Sequence, residues 1–146
     1  MGIFKETTDE IMGWLKGHGE INTVEFGDAN EFDTSTITDF PYSYLIPIKI
    51  TSRESLAVMT YQILFTDIYE SSDENYQSGS DRYKEKLKVL DKMAGVAIDF
   101  QRAFELNTTV LQENLTADVV YDQRQNRVYG WMFEFSLTKP NIINCG

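Results

Sequence analysis

The sequence predicts an α+β domain: a mainly antiparallel sheet of four or five strands, with an N-terminal helix and one long helix packed on one face. Three observations predict it. Residues 128–138 alternate without a break, with Tyr129, Trp131, Phe133, Phe135 and Leu137 on one face and Val128, Gly130, Met132, Glu134, Ser136 and Thr138 on the other. That period-two pattern belongs to a half-buried antiparallel strand. Residues 82–106 instead repeat their apolar positions at helical spacing. Finally, the order helix, acidic loop, two strands, long helix, two strands suits a sandwich of helices on a sheet better than a doubly wound fold.

The first helix is expected over residues 3–16, where Phe4, Thr8, Ile11, Met12 and Leu15 share a stripe and Lys5, Glu6, Asp9 and Glu10 lie off it. Gly17-His18-Gly19 stops it, with His18 in a glycine-type cap or facing solvent. Residues 17–48 contain no Lys or Arg but carry Glu20, Glu25, Asp28, Glu31, Asp33 and Asp39. Within them, 21–26 fits a short strand, and 27–38 is a long polar stretch expected to project as a loop or arm. Residues 44–51 place Tyr44, Ile46, Ile48 and Ile50 on one face and Leu45, Pro47, Lys49 and Thr51 on the other. Pro47 cannot donate to a ladder, which points to an edge strand or a bulge. In 56–69, Ala57, Met59, Tyr61, Ile63 and Phe65 share a face opposite the mixed set Leu56, Val58, Thr60, Gln62, Leu64 and Thr66.

Residues 70–81 read as an acidic loop, with Asp81 as a partial N-cap for the long helix. Its expected buried stripe is Tyr83, Leu87, Leu90, Ala94, Ala97, Ile98 and Phe104. Arg82, Lys84, Lys86, Lys88 and Lys92 crowd its first turns, an unfavourable sign near a helix N-terminus and a hint of a partner. A link from Asn107 leads to a strand over 116–122, a turn at 123–126 and the aromatic strand, with Val119, Val120 and Tyr121 forming a hairpin against it. Gly130 beside Trp131 marks a bulge or a close backbone approach. Residues 139–146 form a tail with no repeat of its own, and Ile142 and Ile143 give it something to dock with.

The chain has 146 residues, 42% hydrophobic and 13% aromatic, which bounds it to a single folded domain. Its net charge of −10, from 23 acidic and 13 basic residues, disfavours free-standing nucleic-acid binding and suits basic partners. Cys145 is the lone cysteine and His18 the lone histidine, so an intramolecular disulfide, a cysteine metal site and triad chemistry all lack their parts. Asp28, Asn30, Glu31 and Asp33 crowd oxygen ligands together, but Phe32 and a missing glycine break the calcium-loop pattern. Neither a GxxxxGK[ST] nor a GxGxxG phosphate loop occurs. The two Asn-x-[Ser/Thr] sites, at Asn107 and Asn114, matter only on a secretory route. The N-terminus is unlike a secretory signal, Glu6 weakens the myristoylation pattern, and no apolar run reaches membrane-spanning length. These features lead us to expect a cytosolic product with no cofactor, no metal and no catalytic residues.

Three features together resemble the ring-forming neck proteins of tailed bacteriophages, the head–tail connector, tail-terminator and tail-completion group. They are the amphipathic helix before the first strands, the long helix 82–106 between strand pairs, and the ending Tyr129-Gly130-Trp131-Met132-Phe133-Glu134-Phe135 followed by Pro140-Asn141-Ile142-Ile143-Asn144-Cys145. That ending is similar to structural proteins of crAss-like phages. The resemblance implies a tail-terminator-like fold, no enzymatic activity, and a virion location in the neck or tail. It further implies homo-oligomeric rings, hexameric or dodecameric, that meet the portal or adjacent neck and tail proteins and pass double-stranded DNA through an electronegative lumen without reading its sequence. The 20–40 arm and 139–146 tail then become subunit contacts, and the candidate interface residues are Glu25, Asp28, Glu31, Phe32, Asp33, Arg82, Lys86, Pro140, Ile142 and Ile143. A small acidic module that blocks a basic partner is the alternative. An α+β enzyme with a polar pocket under the long helix is a third reading, for which the motifs offer no support.

Overall fold

A computed structural model describes residues 2–28, 39–68, 79–107, 109–110, 116–122 and 128–140. Two helices, α1 (Ile3–Gly17) and α2 (Gly79–Asn107), pack on one sheet. Its strands are β1 (Thr23–Phe26), β2 (Tyr42–Arg53), β3 (Leu56–Ile68), β4 (Thr109–Val110), β5 (Ala117–Asp122) and β6 (Val128–Pro140). The lateral order is β1-β2-β3-β6, and β4 and β5 share the outer side of β6, so the six strands fill five positions. All neighbours are antiparallel except β1 and β2, which run parallel. The architecture is thus the α+β sandwich expected from the chain. The short β4 lies in what reads from sequence as a plain link.

Alternation decides which residues enter the core. Ala57, Met59, Tyr61, Ile63 and Phe65 of β3 stand directly opposite Lys139, Leu137, Phe135, Phe133 and Trp131 of β6. The apolar members of these rows meet the helices in one cluster with Leu45, Ile11, Leu15, Val89, Met93, Phe100 and Phe104. Phe100 is its hub, with ring centroids 4.6 Å from Phe104, 4.9 Å from Phe135, 5.3 Å from Trp14 and 6.0 Å from Phe65. Offset and edge-on aromatic geometries of this kind add to simple area burial. A second cluster (Tyr42, Tyr44, Ile46 and Leu64, with Phe40, Val120 and Met132 against it) lies on the opposite face of the sheet.

Several expectations need correction. The buried stripe of α2 is Val89, Met93, Val96, Ala97, Phe100 and Phe104, whereas Leu87 and Ile98 are exposed. Centring the helix on Phe100, which meets five aromatic rings, rotates the expected stripe toward solvent on one flank. Asp81 is not an N-cap, because α2 already begins at Gly79. His18 is not in a glycine-type cap: no described glycine has positive φ. Instead His18 itself closes α1 in an extended conformation, its N–H donating to the Leu15 carbonyl at 3.3 Å. The imidazole is largely shielded rather than solvent-facing, 5.0 Å from the Trp14 ring and 3.2 Å from Asp99.

The expected face of 44–51 is also broken. The β2–β3 register pairs Pro47 with Tyr61 and Lys49 with Thr60, leaving Ile48 as a surplus residue. This bulge inverts the alternation beyond it. Ile50 therefore stands opposite Met59 on the helix side, while Tyr44 and Ile46 stand opposite Leu64 and Gln62 on the other. The bulge reading of Pro47 holds. Gly130 sits in an unbroken β3–β6 register, so it marks a close approach and not a bulge. The expected 27–38 arm falls almost wholly outside the described residues, as does the tail beyond Pro140.

Candidate interaction surface

The acidic edge begins on β1. Thr23–Phe26 is a short outer strand whose Val24 turns into the core while Glu25 is exposed. The phenol of Tyr42 donates to Glu25 Oε1 at 2.8 Å, and that of Tyr44 donates to the Asp28 carbonyl at 2.6 Å. Both candidates are thereby fixed to neighbouring strand β2, on the side away from the helices. The chain enters β2 through a turn held by Asn22 and Thr23, whose side chains donate to the carbonyls of Phe40 and Asp39. Glu31, Phe32 and Asp33 lie outside the described residues.

The basic candidates belong to the other part of the molecule. Arg82 stands near the start of α2. Lys86 places its ammonium 5.2 Å from the centre of the Tyr129 ring on β6, a cation–π arrangement. Exposed Lys84 and Lys88 flank it. Further along α2, Lys92 lies 3.4 Å from Asp67 and 3.7 Å from Glu20, tying α2 to β3 and to the acidic stretch between α1 and β1. The indole N–H of Trp131 donates to the Leu90 carbonyl at 2.8 Å and locks α2 over β6. Acidic and basic candidates therefore do not converge. They sit toward opposite edges of the sheet.

Pro140 ends β6 opposite Leu56, and Leu56 in turn pairs with Arg53 across the β2–β3 hairpin. This end of the hairpin exposes Ile48 (43%), Ile50 (52%) and Leu56 (44%) among the polar Lys49, Thr51, Ser52, Glu54 and Ser55. Because β1 pairs only with Tyr42 to Leu45, the remainder of β2 has no described strand on its outer side. Sequence reading missed this corner, although Pro47 was its signal. Ile142 and Ile143 lie outside the described residues.

Among the described residues, no group of three or more His, Cys, Asp or Glu side chains is placed to hold a metal. No described helix is long and apolar enough to cross a membrane. Tyr61 is buried, and burial raises its phenol above its ordinary value of 10.0 while a 2.9 Å hydrogen bond with Thr8 opposes the rise. The Tyr61 ring stacks on Phe4 at 5.7 Å and on Phe135 at 5.4 Å, which makes it a core residue. No family model matches the sequence, and no curated protein matches it.

Proposed function

We propose that this chain is a virion structural protein that forms a ring in a phage neck, as head–tail connector, tail terminator or completion protein, around passing double-stranded DNA. The observation that carries the reading is the separation of exposed Glu25, on edge strand β1, from Lys84, Lys86 and Lys88, on the part of α2 that covers β6. Lys92, further along α2, is already engaged with Glu20 and Asp67 of its own copy. A ring needs a heterologous contact, in which one patch meets a different patch on the next copy. Opposite charges at opposite edges supply such a pair and steer its register. The −10 net charge fits a lumen along which DNA slides rather than sticks. The acidic-inhibitor reading shares the charge but gives no role to the lysines of α2.

The test is native mass spectrometry at high protein concentration, together with a search for the protein in purified virions. A closed multiple of the 16.8 kDa subunit, or presence in particles, is the expected result. A strict monomer absent from particles overturns the reading.

A further inference from the structure

We infer that the shoulder between the outer flank of α2 and β5 receives the β1 rim of a second copy of this chain. The inference rests on the ring reading above and specifies one of its contacts. Three observations support it.

The first is a second apolar row on α2. Val89, Met93, Val96, Phe100 and Phe104 fill the core. Leu87, Leu90, Ala94 and Ile98 recur at steps of three and four residues and so share a different flank of the same helix. Leu87 is 50% and Ile98 41% exposed, and Leu90 and Ala94 are half-buried between them. The helix advances along β6 from Lys86 at Tyr129 through Leu90 at Trp131 to Phe100 at Phe135. Strand β5 pairs with the same stretch of β6, so it runs beside this flank. Val119 stands directly opposite Trp131, which packs against the helix-side core, and is 47% exposed on that face. An apolar row that a helix leaves outside its own core, rimmed by charge, has the make-up of a protein contact.

The second is charge. Exposed Lys84 and Lys88 bracket Leu87, with Asp91 the exposed carboxylate next along the helix. At the far edge of the sheet, β1 presents Phe26, 44% exposed, beside exposed Glu25, with Asp28 and Asp39 exposed nearby. The shoulder thus offers an apolar row headed by ammonium groups, and the rim offers an aromatic ring among carboxylates. Complementary charge of this kind sets register and speeds encounter.

The third is placement, which decides between the same copy and another. The strands run β1-β2-β3-β6, with β5 outside β6. Rim and shoulder are therefore four strand spacings apart, about 19 Å, and one copy cannot bring its own Phe26 onto its own Val119. The contact joins different patches of two copies, the heterologous type that a ring requires.

Reciprocal variants test it. Leu87→Asp/Ile98→Asp spoils the shoulder and keeps the rim, whereas Phe26→Lys spoils the rim and keeps the shoulder. The replaced side chains are exposed, so both variants should melt like wild type. Alone, each is expected to self-associate at least tenfold more weakly than wild type. Mixed in equal amounts, they should form a 1:1 dimer through the one intact pair of surfaces, read by native mass spectrometry. Carbodiimide treatment of assembled wild type, part of it isotopically labelled, gives a measurement without substitutions. Its expected product joins Glu25 of one copy to Lys84 or Lys88 of another. Wild-type assembly that both variants reproduce, without that link, overturns this contact and leaves the ring reading standing. A Phe26→Lys variant that dimerises by itself while the shoulder variant does not also overturns it, in favour of shoulder-to-shoulder pairing. A wild type that stays monomeric at every concentration and is absent from virions overturns the ring reading, and this contact with it.

Discussion

Gly130 shows how tightly a single residue can be specified. A Cβ built there would overlap the Phe65 carbonyl oxygen on β3 and come within 2.7 Å of the Thr66 Cα. These are backbone atoms in a continuous register and cannot step aside as a flexible side chain could. Gly130→Ala is therefore expected to cost about 3 kcal/mol, the upper part of the overpacking range, and to lower the melting temperature by roughly 10 °C for a chain of this size. Differential scanning calorimetry checks it. Tyr61 makes a different prediction. Its folded-state ionisation is raised above the ordinary 10.0 by burial, so the unfolded chain releases the proton first as pH rises. The stability tied to the neutral phenol is whole below pH 10 and is lost progressively above it. Tyr61→Phe keeps the stacked ring, and its unfolding free energy should fall less steeply than wild type as pH rises above about 10, measured by urea titration at each pH. From sequence, Gly130 was legible as a place of constraint. The hydroxyl pair of Thr8 and Tyr61 was not, because it joins α1 to β3 across a large sequence separation.

At the scale of elements, the strands were far easier to read than the long helix. The aromatic row of β6 and its partner row on β3 fix their own facing through period two, and both rows enter the core as expected. The helix α2 carries apolar residues well beyond a single stripe, so spacing alone does not choose the buried phase. Phe100 chooses it by filling the space between Phe65, Phe133 and Phe135. Phe100→Ala should accordingly cost about 3–5 kcal/mol, whereas Leu87→Ser and Ile98→Ser should each change stability by less than about 1 kcal/mol. Chemical denaturation of the three variants checks the phase directly. The β1–β2 pairing was not legible either, since a parallel neighbour formed by a short strand leaves no turn signature between its partners.

For the whole molecule, charge is the readable quantity and its placement is not. Composition shows an acidic chain whose residues 17–48 lack any basic side chain, but only the fold sets Glu25 on one edge and Lys86 over β6 toward the other. If copies associate through these edges, raising salt from about 0.05 to 0.5 M shortens the screening length several-fold and should weaken association. Sedimentation velocity across that range is the measurement. Of the candidate interface residues, the structure places Glu25, Asp28, Arg82, Lys86 and Pro140, and the other five lie outside the described residues. The hairpin corner with Ile48, Ile50 and Leu56 was not legible, because its exposure depends on where β1 stops.

Ile48 also makes β2 longer by one residue than its ladder requires. Excising it leaves Pro47 opposite Tyr61 and Lys49 opposite Thr60, so this is a position within the strand where a codon can be lost without reframing the pairs on either side. Circular dichroism of the shortened chain should therefore show wild-type strand content, with the kink in β2 removed.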